Sequence, residues 1–140
     1  MAFKACLLLS GFLVFIHSCG MDKYPVWFQI KNNSDKSLYF TYNNKYPDTA
    51  VDNPIYIPNG STRTPSVLID PFGSYTIATS TTLDKYFATI PSDTFQLFIY
   101  DADVVKTTPW ATVMSKDLVL KRYSLTLDSI RKLNGTITYP

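Results

Sequence analysis

The chain has 140 residues, with 13 basic and 11 acidic side chains and a formal net charge of +2. A balance this even leaves no electrostatic footprint for nucleic acid. All the acidic residues are Asp and none is Glu, so paired-carboxylate glycosidase chemistry would have to use two Asp, and no spacing nominates a pair.

Lys4 makes a short positive start, and "ACLLLSGFLVFI", residues 5–16, is an apolar run. About a dozen residues is the length of a signal-peptide h-region and too short to span a bilayer. "IHSC", residues 16–19, then resembles a bacterial lipobox, with Ile16 three before the cysteine and small Ser18 one before it. The resemblance implies cleavage before Cys19 and acylation of that residue. One acyl chain holds a protein only marginally, whereas several make retention long-lived. An ordinary secretory signal, with Cys19 as a free thiol, is the bland alternative.

This division gives a lipoprotein signal peptide at 1–18, a tether at 19–25 and a single domain at 26–140. Cys6 and His17 fall in the removed segment and Cys19 is modified. The remaining chain then holds no imidazole and no free thiol. Ser-His-Asp and Cys-His hydrolases, histidine-ligated zinc and disulfides are excluded in their ordinary forms. The expectation is therefore no enzyme, no cofactor and no metal.

"VWFQIKN", residues 26–32, alternates Val26, Phe28 and Ile30 against Trp27, Gln29 and Lys31, the period of a strand. "SLYFTY", residues 37–42, alternates again after a turn-rich "NNSDK", so the two read as a β-hairpin. Trp27 on the second face suits either sugar stacking or a strand buried on both sides, and the latter is favoured. Residues 43–66 hold Pro47, Pro54, Pro58 and Pro65, which break long elements. This is a long loop with at most a short edge strand at "IYIP", and loops of this length are often functional. Tyr46, Tyr56 and Arg63 are its candidate partner contacts.

"SVLIDPFGSYTIATS", residues 66–80, reads as two short strands around "DPFG", with Pro71 at the first central turn position and Gly73 free to take positive φ. "FQLFIYDADVV", residues 95–105, is apolar or aromatic on both faces and predicts a central strand covered on both sides. Asp101 and Asp103 would suit calcium, but capping of the strand end or the next segment is the favoured reading. A helix is expected over 108–117, capped by Thr108 with Pro109 at its first position and Trp110, Val113 and Met114 on one core-facing side. "VLKRYSL", residues 119–125, reads as a strand with two solvated cations. A second helix is expected over 126–135, with Thr126 as cap, Asp128 early, Arg131 and Lys132 late and Gly135 as the stop. "TITYP" closes the chain as a strand. The fold expected is mostly β: an immunoglobulin-like sandwich of about seven short strands with two short helices in the C-terminal half.

The strand ending in "FIYDAD", the Trp-containing helix, "LKRYSLTLDSIRKLN" and the terminal "ITYP" give residues 93–140 a further meaning. This half resembles a group of small lipoproteins from gut Bacteroidales, and the likeness extends weakly to "VWFQIKNNSDKSLYF" and "YPDT". The resemblance implies an envelope location and a β-rich domain, with no assigned catalytic residues. Surface-exported members of that phylum usually carry an acidic run after the cysteine. Here "GMDK" offers Asp22 beside a lysine, so the membrane face stays open. The phylum also glycosylates Asp-Ser/Thr motifs. "DTA" at 48–50 makes Thr49 an O-glycosylation candidate, while "DSI" at 128–130 falls in the expected helix.

The reading is thus a non-enzymatic outer-membrane lipoprotein, a binding or scaffolding module anchored through acylated Cys19. Its partners would be the membrane, through the anchor, and a protein complex or a glycan. The alternative is an accessory subunit of a carbohydrate-capture or fimbria-like surface assembly, working through an exposed sheet edge.

Overall fold

The computed structural model describes residues 26–51, 67–78 and 80–140. Its strands are β1 (Val26–Asn32), β2 (Leu38–Asn43), β3 (Val67–Ile69), β4 (Ser74–Ala78), β5 (Phe95–Asp101), β6 (Lys121–Leu125) and β7 (Thr136–Tyr139). Four short helices join them: α1 (Leu83–Phe87), α2 (Ala102–Thr107), α3 (Trp110–Ser115) and α4 (Leu127–Lys132). One sheet has the order β4-β1-β7 and the other β3-β2-β5-β6. The expected strand at "IYIP" lies outside the described residues, as do the signal peptide and the tether.

The hairpin expected over 26–42 does not form. β1 and β2 lie in different sheets. The reason is the occupancy of β1, which pairs antiparallel with β4 on one side and parallel with β7 on the other. Neither side is left for β2, so the chain arches from one sheet to the other. Asn32 makes the arch. Its side chain is fully buried and its amide donates to the carbonyls of Lys36 at 2.7 Å and Asp70 at 3.0 Å. Its Oδ1 accepts from the Ser34 N–H at 2.9 Å and the Ser34 hydroxyl at 2.7 Å. That is an Asx turn, the local alternative that Asn offers to continued strand.

The turn at 70–73 also crosses between sheets, from β3 to β4. Gly73 N–H donates to the Asp70 carbonyl at 3.0 Å, closing a β-turn with Pro71 first. The positive φ falls on Phe72, at 58°, and not on Gly73 as expected. Phe72 is the second central residue of the turn, where a type II turn requires positive φ. Gly73 instead avoids a clash, since a Cβ there would sit 3.0 Å from the Asp70 carbonyl oxygen.

One cluster joins the inward faces of both sheets: Phe28, Ile30 and Ile137 from the first, Leu38, Phe40, Ile69, Leu97 and Ile99 from the second. Each such side chain contributes roughly 1.5–3 kcal/mol on full burial. Trp27 joins the same cluster, although alternation sets it opposite Phe28. The β1–β4 register shifts between Val26 and Phe28, and the bulge re-aims the indole inward. Burial therefore wins over sugar stacking for Trp27.

All seven residues of β5 are buried, as its two apolar faces predict. Phe95, Leu97 and Ile99 face the main core. Phe98 and Tyr100 form a second cluster with Val105 of α2 and Val113 of α3. The strand stops at Asp101, earlier than the run to 105 suggests, because Asp101 Oδ1 accepts from the N–H groups of Asp103 and Val104 and starts α2. Thr108 closes α2 and does not cap α3, whose N-cap is Pro109. Thr126 caps α4 as expected, in a reciprocal capping box with Ser129. Helices α1 and α2 are not expected from the sequence.

Asn32→Ala removes a buried amide and its four hydrogen bonds, and it should cost about 2–4 kcal/mol by urea denaturation. Tyr100 provides the contrast: among the described residues its hydroxyl is buried with no hydrogen-bond partner. Burial also raises its pKa far above the ordinary value. Tyr100→Phe removes that unsatisfied group, so the same assay should show stability unchanged or increased.

Candidate functional site

β2 ends at Asn43, opposite Gln96 of β5. Both amides are buried and both grip the loop that follows. Asn43 Nδ2 donates to the carbonyls of Asp48 at 2.9 Å and Ala50 at 3.0 Å. Gln96 Nε2 donates to the same Asp48 carbonyl at 2.7 Å. Asn43 Oδ1 accepts from the Lys45 N–H at 2.6 Å, a second Asx turn. Asp48 Oδ1 accepts from the Ala50 N–H at 2.8 Å. The loop 43–51 is therefore built by side chains of the sheet that precede and underlie it.

This loop borders a cleft of about 380 Å³ lined by Tyr42, Asn44, Lys45, Asp48, Val51 and Tyr86, among others. Tyr86 reaches it from α1. Its ring lies 4.0 Å from that of Trp27 and edge-on to Phe87 and Phe95. Trp27 Nε1 donates to the Thr81 carbonyl at 2.7 Å, fixing the start of α1. Desolvation raises the Tyr86 pKa, Tyr42 adds to the rise and a hydrogen bond with Asn44 opposes it. The phenol stays protonated at neutral pH and is available as a donor at the cleft. The arrangement offers aromatic rings, amides, one cation and one carboxylate, which suit binding of a polar ligand.

Of the expected contacts, Tyr46 stands on this loop, 46% exposed, and Thr49 is exposed between Asp48 and Ala50. Tyr56, Arg63 and Cys19 lie outside the described residues. Asn43, Gln96 and Tyr86 were not singled out in the sequence. The one signal for Asn43 was its place in an "NN" pair directly after an alternating strand.

A second cleft of about 380 Å³ lies between α1 and α4, lined by Asp84, Phe87, Ala88, Asp93, Thr126, Leu127 and Asp128. Arg131 bridges it, pairing with Asp84 and lying 3.9 Å from Asp128. Ser129 of the "DSI" motif is spent on the capping box.

At the opposite end of the strands, Lys36 Nζ pairs with Asp101 Oδ2 at 2.7 Å. With Oδ1 on the α2 amides, both oxygens of Asp101 are committed to capping and the ion pair. The capping reading of "DAD" holds, and among the described residues no group of three metal-ligating side chains gathers.

No family model, curated protein or solved structure matches this chain.

The Lys36 hydrogen bond, aided by the two amides, holds the Asp101 pKa below its ordinary 3.8 against desolvation. A carboxylate depressed in this way stabilises the fold above its unfolded pKa, and that stabilisation is lost as pH falls through the folded value. The melting midpoint should therefore drop between about pH 5 and pH 2, and Asp101→Asn should flatten that drop. At neutral pH, Asp101→Ala should cost about 1 kcal/mol through the lost cap. Thermal melts across the pH series check both.

Proposed function

We propose that this chain is a non-enzymatic lipoprotein of the cell envelope, held in the outer membrane by acylated Cys19 and serving as a binding or scaffolding module. On this reading it stands with the small Bacteroidales lipoproteins, and its two sheets form an immunoglobulin-like sandwich. The observation that carries the binding role is the fastened loop 43–51. Two buried amides from adjacent strands hold it in one shape beside the cleft, with Tyr46 projecting. A preformed loop avoids much of the ordering cost of association.

The tether gives the loop a setting. The ring contact between Trp27 and Tyr86 places the cleft at the end of the domain where β1 begins. Six residues separate Cys19 from Val26, and the seven Cα steps between them reach no farther than about 25 Å even when extended. A protein complex or a glycan would thus be met near the bilayer surface. Thr49, exposed on the same loop, is the proposed O-glycosylation position. The alternative, an accessory subunit of a carbohydrate-capture or fimbria-like assembly, is favoured by one feature, the outer edge of β4, which no other strand pairs among the described residues.

Two experiments test this reading. Wild-type chain and Cys19→Ala, expressed in a host that acylates lipoproteins, should differ: wild type sediments with membranes and takes up labelled palmitate, and Cys19→Ala does neither. Identical fractionation of the two sinks the anchor. Tyr46→Ala should melt like wild type yet lose retention on immobilised envelope polysaccharide or cross-linked envelope protein. Unchanged retention on both removes the loop from the binding surface.

A further inference from the structure

Among the described residues the two sheets leave four edge strands, and three are guarded. β3 is only three residues long. β6 carries exposed Lys121 and Arg122. On β7, the Thr138 carbonyl accepts from the Tyr123 hydroxyl at 2.9 Å. Short length, charge and side-chain cover are the devices that keep edges from pairing. β4, "SYTIA", has five residues, no charge and no proline.

Its outward groups can be named. Asn32 N–H donates to the Gly73 carbonyl at 2.9 Å, and the register runs on through Ile30↔Tyr75 and Phe28↔Ile77. Antiparallel pairing alternates, so Gly73, Tyr75 and Ile77 turn their backbone groups to β1. Ser74, Thr76 and Ala78 turn theirs away, and among the described residues no backbone hydrogen bond from another element meets them. On the inward face, Tyr75 and Ile77 are only half-buried against the core, with the Tyr75 ring 5.4 Å from Phe40. Among the described residues, the flank between β4 and β3 is thus open in both backbone and apolar surface.

We propose that β4 pairs antiparallel with β4 of a second copy of this chain, across a two-fold axis at Thr76. The sequence of the strand is complementary to itself in that register. Thr76 faces Thr76, Tyr75 faces Ile77 and Ser74 faces Ala78. Threonine pairs and aromatic–β-branched pairs are among the favourable cross-strand neighbours, and no like charges meet because the strand has none. Thr76 with Thr76, and Ser74 with Ala78 twice, exchange about six backbone hydrogen bonds. The product is a continuous sheet of order β7-β1-β4-β4-β1-β7, closed by an isologous contact. The half-buried Tyr75 and Ile77 of each copy then cover those of the other. The pairing does not depend on the lipid anchor. Where both copies are anchored through Cys19, it lays the strands along the bilayer.

Single cysteines read the register directly. The full chain carrying Cys6→Ala and Cys19→Ala has no other cysteine. In that background, Thr76→Cys, Ser74→Cys and Ala78→Cys are each oxidised mildly in expressing cells. Facing positions in a strand pair lie within disulfide reach, so Thr76→Cys should cross-link at least about tenfold faster than either neighbour alone. Co-expressed Ser74→Cys and Ala78→Cys should cross-link with each other. All three positions replace exposed side chains, so the fold should survive. No cross-link from Thr76→Cys, equal rates at all three positions, or failure of the mixed pair would each overturn the proposal.

Discussion

The buried amide of Asn32 is the constraint on which the rest of the structure depends. It sits where β1 ends, and its four hydrogen bonds reach the start of the arch to β2 and the turn between β3 and β4. Those are two of the four places where the chain passes from one sheet to the other, the others lying between β4 and β5 and between β6 and β7. Desolvating an amide without partners would cost about 1–3 kcal/mol, so the site is tolerable only with every bond made. Once made, the bonds tie the end of β1 to the arch and to the turn between β3 and β4. Lys36, carried on the same arch, then reaches Asp101, and the ion pair ties the arch to the first turn of α2.

The other end of the strands uses the same chemistry for a different purpose. Asn43 turns the chain out of β2 as Asn32 turns it out of β1, with an Asx turn to the residue two ahead. Here the amide fastens an exposed loop instead of a crossing. The neighbouring core is aromatic: Trp27 against Tyr86, Tyr86 against Phe95 and Phe95 against Phe28. The bulge at Trp27 makes that stack possible, so the shape of the cleft wall follows from one extra residue in β1.

Elements fixed by local chemistry were legible in the sequence. Two apolar faces marked β5 as a covered central strand, and Thr126 announced α4. Partnership was not legible. Alternation in 26–32 and 37–42 states that two strands exist and which face each buries, but a hairpin and an arch share that pattern. What separates them is that β4 and β7 claim both sides of β1, a matter of residues some forty and more than a hundred positions away. Helices α1 and α2 are five and six residues long, too short for a helical period to show. Phe72 in a left-handed conformation, which costs roughly 1–2 kcal/mol, goes against local preference and is imposed by the turn. At the site, Tyr46 and Thr49 were found because proline and turn residues marked their loop. Asn43, Gln96 and Tyr86 were missed because their roles come from contacts made across the fold.

If Asn32 holds the sheets together, its two crossings are rigid parts of the core and not ordinary surface loops. Amide hydrogen exchange on the native chain measures this directly. The N–H groups of Asn33, Ser34, Phe72 and Gly73 donate to Tyr139, Asn32, Ser34 and Asp70 respectively. They should exchange as slowly as the amides of β1 and β5. Exchange of these four at the rate of exposed loops, with the strands still protected, would contradict the claim that Asn32 holds the sheets together.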